Sequence, residues 1–230
     1  MVSNGKVLRR NLKFKPNCLV VFNEETKGYV HSIAPHQRVE IIPNGVNLSL
    51  FSPQGDVFEH GLGGKVVLTV GALNRQNHKR IHLAINAVSK LDDVSLLICG
   101  DGPDVAHFEA LCQAKLGKDR FKIIKADFAD IPKVYRSADI FTLPSKDEPF
   151  GRVYLEAMAS GLSVVATDDS MRKMLIGEAG LVCDVTNENE YAAALASTLV
   201  NDWQQKAINQ AAGFSWESVA EQYAKVIDSL

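Results

Sequence analysis

Cysteine is sparse. Cys18, Cys99, Cys112 and Cys183 are the only four in 230 residues, and no two form a C-x-x-C pair. The six histidines show no ligand spacing with cysteine or aspartate. Neither a disulfide framework nor a zinc site fits that pattern; it points to buried thiols in a reduced, cytoplasmic setting. Excess charge is missing too. The 25 basic and 27 acidic side chains leave a net charge of −2, and no basic stripe is interleaved with aromatics, which argues against a nucleic-acid partner. No apolar run approaches the roughly 20 residues of a membrane span. The opening MVSNGKVLRR lacks the apolar stretch of a secretion signal. Internal repeats and low-complexity tracts are also lacking.

What is present is a strand–helix alternation. VVLTV (66–70), VSLLIC (94–99), FKII (121–124), DIFTLP (139–144), LSVVAT (162–167) and GLVC (180–183) are short apolar runs rich in β-branched residues. Runs of this kind suit strands covered on both faces. Between them lie helical spacings: Ile81, Ala84, Ile85, Val88 and Leu91, then residues 104–116, a short helix with Val134, Tyr135 and Ala138, and VYLEAMAS (153–160). Helices at 188–200, 202–212 and 215–229 close the chain. Strands alternating with helices predict an α/β fold, a Rossmann-like doubly wound parallel sheet joined by right-handed crossovers.

The first fifty residues differ. NCLVVF (17–22) and VEIIP (39–43) read as strands around a helix from Glu24 to Ile33, and NGVNLSLFSPQGD (44–56) reads as a linker. The expected organisation is a unit over 1–43, a main domain over 44–212 and a closing helix over 213–230. Two strands and a helix cannot cover their own apolar faces, so self-association or a partner protein is expected near residues 17–43. The start carries Lys6, Arg9, Arg10, Lys13 and Lys15, with no acidic residue before Glu24. It reads as a solvated or disordered terminus, with a peripheral contact to anionic lipid as the alternative.

Ligands of open parallel sheets bind beyond the carboxyl ends of the strands, and three such ends are polar here. GALNRQNHKR (71–80) offers Gly71 for close backbone approach and the cations Arg75, Lys79 and Arg80, which suits either a diphosphate cradle or a solvated basic turn. GDGPD (100–104) reads as a tight turn in which Asp104 caps the next helix. PSKDEPFGRVYLEAMASG (144–161) is the informative one. Unpaired amides at Phe150, Gly151, Arg152 and Val153 open a helix and suit an anion. Glu148 in the turn and Glu156 beyond the first helical turn are placed to accept hydroxyl groups on its two flanks. Phosphates between two sets of hydroxyls describe a nucleotide sugar.

The segment from Glu148 to Glu156 has seven residues between its glutamates, with AMASG behind it. It resembles the E-x7-E signature of the retaining group 1 (family 4) glycosyltransferases of the two-domain GT-B fold. Further stretches are similar to that family in the same order: IIPNGVN with FSP, VGALNRQNHKR, LLICGDGP, IPKVYRSADIFTLPS, SVVATD with GEAGLVCD, and FSWESVAEQYAKVI. The likeness covers residues 39–230. It implies the donor-binding half of an enzyme that moves a sugar from a nucleoside diphosphate (UDP, GDP or ADP type) to a glycan or lipid-linked acceptor.

By the same resemblance, Glu148 and the amides of Phe150 and Gly151 would hold the sugar. The amides of Arg152 and Val153, with Lys79, would face the diphosphate, and Glu156 would bind the ribose. The backbone at Ile124 and Lys125 would edge the base. Metal is not expected, and no D-x-D lies at a strand end. Two positions depart from the family: Ala72 stands where an arginine commonly pairs with the diphosphate, leaving Arg75 or Arg80 as candidates, and Ala126 replaces a frequent glycine. The family's complete acceptor domain has only residues 1–43 as a counterpart. Two alternatives accompany this reading: a non-catalytic nucleotide-sugar-binding subunit that complements a separate acceptor domain, and another GT-B enzyme such as an epimerase or phosphorylase.

Overall fold

The computed structural model describes residues 5–230; residues 1–4 lie outside the described residues, and the basic residues of the opening, from Lys6 on, lie within them. The chain first builds a small unit: α1 (Gly5–Leu12), β1 (Leu19–Val21), α2 (Glu24–Ile33) and β2 (Val39–Ile41). β1 and β2 pair in parallel, with Leu19 opposite Val39 and Val21 opposite Ile41. Asn23 caps α2 by accepting the Thr26 amide at 2.7 Å. Leu8, Val21, Val30 and Val39 form the unit's core. The helical α1 corrects the expectation of a disordered terminus. Arg9 and Arg10 are solvated, but Leu8 is drawn under the sheet, and burying that one side chain is what an eight-residue pattern of mixed polarity did not announce.

After a strandless stretch, the main sheet begins. Its elements are β3 (Lys65–Val70), α3 (Ile81–Val88), β4 (Val94–Cys99), α4 (Val105–Leu116), β5 (Phe121–Ile124), α5 (Ile131–Arg136), β6 (Ile140–Leu143), α6 (Arg152–Ala159), β7 (Ser163–Thr167), α7 (Ser170–Ile176), β8 (Gly180–Cys183), α8 (Glu188–Val200), α9 (Gln204–Ala212) and α10 (Trp216–Ile227). All six strands are parallel, in the order β5-β4-β3-β6-β7-β8. Successive side chains leave a strand on opposite faces. Val66 and Leu68 therefore enter one core with α6 and α9, while Val67 enters the other with α3, α4 and α8. Both faces being covered explains the continuous apolar runs.

The strand order decides where a ligand can sit. The chain runs outward from β3 through β4 to β5, then crosses back to place β6 on the other side of β3. The loops after β3 and β6 therefore leave in opposite directions and open a crevice between them. α10 returns to the small unit: Val46 and Ser215 form a bridge, and the Arg38 guanidinium donates to the Ser229 carbonyl (3.1 Å) and hydroxyl (2.8 Å). All four cysteines are free, and Cys99, Cys112 and Cys183 are buried. Burial pushes those three thiols up to about 11, 12 and 12, so they are inert packing groups.

Candidate functional site

The loops after β3 and β4 are zipped together by main-chain bonds: Gly71 N–H to the Cys99 carbonyl at 3.0 Å, Leu73 to Asp101 at 2.9 Å, and Asp104 to Leu73 at 3.0 Å. Gly100 is glycine because a Cβ there would stand 2.0 Å from the Gly71 oxygen. Asp104 precedes α4 but does not cap it with its side chain, which corrects the capping expectation. Its carboxylate instead accepts the Arg75 amide (2.8 Å) and Nε (3.0 Å). Two donors from one arginine outcompete a lone helix amide. Arg75 is thus engaged at the rim, and Lys125 pairs with Asp101 between the ends of β5 and β4. The Ile124 carbonyl accepts the Gly100 amide at 2.8 Å.

Across the crevice, Lys79 Nζ donates to Glu148 Oε2, and the Lys146 amide donates to the His78 carbonyl at 2.7 Å. These contacts tie the two loops together. Ser145 Oγ donates to the same Oε2 at 3.1 Å, and His78 Nε2 lies 3.4 Å from it. Every one of these contacts falls on Oε2, and among the described residues none falls on Oε1, which can accept from a ligand. Burial alone would raise the Glu148 carboxyl. The Lys79 hydrogen bond and charge, with His78 and Ser145, reverse that and hold it below its ordinary value.

α6 begins at Arg152, behind Gly151 at φ +88°. A Cβ on Gly151 would meet the Tyr154 ring at 2.6 Å, so sterics and backbone both require glycine. Among the described residues, the amides of Phe150, Gly151, Arg152 and Val153 donate to no protein acceptor. Four open donors beside a lysine form a ready anion site. Further along α6, Glu156 Oε2 accepts the Tyr135 hydroxyl at 3.0 Å. Burial raises the Glu156 carboxyl, against the pull of the Tyr135 bond and the Arg152 charge.

That raised value has a sign that can be checked. The folded protein binds the Glu156 proton at a higher pH than the unfolded chain does. Stability therefore falls as pH rises from the ordinary carboxylate range through the folded value. Glu156→Gln removes the ionisation and keeps an acceptor for Tyr135. Without ligand, the variant is expected to melt about 2–4 °C above the parent at pH 7.5, the size of ~1 kcal/mol in a chain of this length. The gap between the two melting temperatures should shrink as pH falls through the folded value and level off below the unfolded carboxylate value, and a gap that does not change with pH would show that the charge is not what destabilises the parent.

The structure brings Lys79, Glu148 and the start of α6 together, but not all of the expected residues share one cavity. A cleft of about 280 Å³ lies between the small unit and the Asp147–Pro149 turn, lined by Val21, Phe22, Asn23, Glu25, Asp147 and Glu148 among others. Of the expected donor residues, Glu148 alone lines it. Phe22 packs on Phe150 at 5.6 Å between ring centroids, so the small unit reaches the start of the signature segment. The Arg80 guanidinium is turned away from the lysine, donating to the Pro144 carbonyl (2.8 Å) and Thr167 (3.2 Å). Sequence reasoning missed His78, Ser145, Tyr135 and Arg172 as partners of the two glutamates. Each contact spans strands whose adjacency only the fold reveals, except Ser145, three residues before Glu148.

Comparison with known proteins bears on the family and the fold. The family model described as "Glycosyl transferases group 1" matches residues 56–213. The chain is 30% identical over 253 residues to a D-inositol 3-phosphate glycosyltransferase of Corynebacterium glutamicum, covering 98% of this chain and 58% of that protein. It is 32% identical over 207 residues to a phosphatidyl-myo-inositol mannosyltransferase of Mycobacterium tuberculosis, covering 82% and 53%. Among solved structures, sucrose-phosphate synthase of Thermosynechococcus elongatus superposes with a TM-score of 0.79 at 25% identity, over 92% of this chain and 58% of that one. Anabaena HepE, solved with UDP and glucose, superposes at 0.75 and 20% identity, over 98% and 67%. The chain spans about half the length of the curated relatives it matches, and it corresponds to the C-terminal region of the GT-B fold.

Proposed function

Given that this chain belongs to the group 1 glycosyltransferases, we propose that its crevice binds a nucleoside-diphosphate sugar and presents the anomeric carbon to an acceptor hydroxyl with retention of configuration. The observation that carries this reading is the Lys79–Glu148 pair beside the four open amides of Phe150–Val153, at the point where the strand order reverses. The amides of Arg152 and Val153 and the Lys79 ammonium take the diphosphate. Preorganised donors of this kind stabilise the charge that grows on a leaving phosphate without a metal. Glu148 Oε1 accepts from the sugar, with the amides of Phe150 and Gly151 alongside, and Glu156 accepts from the ribose. The base lies against the backbone at Ile124 and Lys125. In the reaction, the bond from the anomeric carbon to the diphosphate oxygen breaks, one to the acceptor oxygen forms on the same face, and the acceptor's hydroxyl proton passes to the departing diphosphate oxygen. UDP is the first nucleotide to try, because HepE was solved with it. A glycan or lipid-linked sugar is the proposed acceptor class.

The two glutamates give a test that separates their roles. Glu156→Ala is expected to weaken free nucleotide and nucleotide sugar alike, because its partner belongs to the ribose. Glu148→Ala is expected to leave free nucleotide within about twofold and to weaken the nucleotide sugar by about tenfold, the size of one lost charge-assisted hydrogen bond. Calorimetry that finds both variants losing equal affinity for both ligands overturns the assignment.

A further inference from the structure

The loop that carries Glu148 is held by two guanidinium groups. Arg172, on α7, is 1% exposed. It donates through Nη1 to the Glu148 carbonyl at 3.1 Å and through Nη2 to the Ser145 carbonyl at 3.2 Å. Its one carboxylate partner is Asp169, which also caps α7 by accepting the Arg172 amide at 2.9 Å. Arg80 donates to the Pro144 carbonyl and to Thr167, and the Thr167 hydroxyl donates to the Ser145 carbonyl at 2.8 Å. The carbonyls of Pro144, Ser145 and Glu148 are therefore all engaged.

Backbone strain sits at the same place. Asp147 has φ +54° and Arg80 φ +51°, two of the four non-glycine residues with positive φ among the described residues. Such conformations persist where the surroundings over-determine them. A buried guanidinium is also a poor way to fill space, since an apolar side chain of similar volume packs as well without the desolvation. What Arg172 adds is directed donors in a fixed fork. It directs them at the two carbonyls that bracket Lys146 and Asp147.

We propose that Arg172 and Arg80 are positioning residues for Glu148, fixing the Ser145–Glu148 turn so that the carboxylate meets Lys79 with one oxygen and the donor sugar with the other. The inference rests on the reading that Glu148 binds that sugar. Neither arginine touches the nucleotide in this account, which reverses the role the sequence suggests for Arg80. Arg172 is invisible to motif reasoning because it stands 24 residues beyond Glu148, in a helix the sequence does not signal strongly.

The test uses the whole 230-residue chain with UDP, GDP and ADP and with UDP-glucose, GDP-mannose and ADP-glucose, carrying forward the pair that binds most tightly. Arg172→Met is expected to weaken the nucleotide sugar by about tenfold while the free nucleotide stays within about twofold, because only the Glu148 contact is lost. Arg172→Lys, which keeps the charge and one donor, is expected to recover part of that loss. In a Glu148→Ala background, Arg172→Met is expected to cost nothing further, the non-additivity of two residues acting as one unit. Arg80→Lys and Asp169→Asn are expected to show the same split with smaller losses, and they decide the matter if Arg172→Met does not fold. Equal weakening of both ligands, or losses that add to those of Glu148→Ala, would mean that the arginines serve only the fold. If Glu148→Ala itself leaves nucleotide-sugar affinity intact, or no nucleotide sugar binds, the donor assignment fails and the positioning role falls with it. If Glu148→Ala weakens the sugar and none of the arginine variants does, the positioning role alone is wrong.

Discussion

A nucleoside diphosphate added in excess EDTA is expected to raise the melting temperature of this protein, and Lys79→Ala is expected to remove most of the rise. The argument is electrostatic. The diphosphate brings about two negative charges to a site that offers four open amides and one ammonium, a combination suited to anions at a helix start. Among the described lysines and arginines at this turn, the Arg80 and Arg172 side chains are committed to main-chain carbonyls, whereas Lys79 contacts the Glu148 carboxylate. Losing a partly buried, charge-assisted contact of this kind costs about 1.5–3 kcal/mol, or about ten- to a hundredfold in affinity.

Lys79→Ala also strips Glu148 of its main counter-charge, so the ligand-free variant will itself be less stable at neutral pH. The sign follows from the lowered Glu148 carboxyl. Its stabilising contribution is present above the unfolded carboxylate value and is lost as pH falls through the folded one. Lys79→Ala combined with Glu148→Gln should recover ligand-free stability without recovering the response to nucleotide. The two effects are thereby separated. Stabilisation that appears only with an added divalent ion would overturn the metal-free account of the site.

The parallel sheet was legible because its strands are buried on both faces and so carry few polar residues. KVVLTV and VSLLIC announce this directly, and α2 has the bounds that its sequence suggests. Local chemistry also revealed the open amides of the α6 start, since glycine followed by a helical pattern leaves those donors unpaired wherever it occurs. α1 was not legible: its helical state depends on Leu8 meeting Val21, Val30 and Val39, contacts that a linear reading does not contain. α7 carried a weak signal, an aspartate at Asp169 followed by a short amphipathic run, that capping preferences could have caught. The partners of the charged groups were out of reach for another reason. Arg75 and Asp104 are 29 residues apart and Lys79 and Glu148 are 69 apart. An arginine that neutralises a phosphate and one that anchors a loop look the same until the strand order is known. Arg80 and Arg172 are the cases in point.

The 230-residue polypeptide, purified as such, is expected to bind donor yet transfer sugar at a rate roughly a thousandfold or more below that of a chain supplied with a complete opposing wall. Transfer requires the acceptor oxygen within about 3–3.5 Å of the anomeric carbon, and such placement accounts for roughly 7–11 kcal/mol of a barrier. Here the wall across the cleft from Glu148 is built from α1, β1 and α2, on a sheet that has two strands among the described residues. Parallel sheets are ordinarily larger and covered on both faces, so this wall has little with which to seat an acceptor or exclude water. Slow hydrolysis of the nucleotide sugar is the activity expected of it. The measurement is transfer from radiolabelled donor to a panel of sugar and lipid-linked acceptors, for the chain alone and for the chain joined to or mixed with an N-terminal half from a group 1 relative. A large gain in transfer on adding that half supports the donor-half reading and identifies the missing element as acceptor placement. A gain in donor affinity without transfer would instead favour a nucleotide-sugar-binding subunit that serves a separate protein. Robust transfer by the 230 residues alone would refute the argument, because it would show that α1, β1, α2 and β2 already place an acceptor hydroxyl at the reacting carbon.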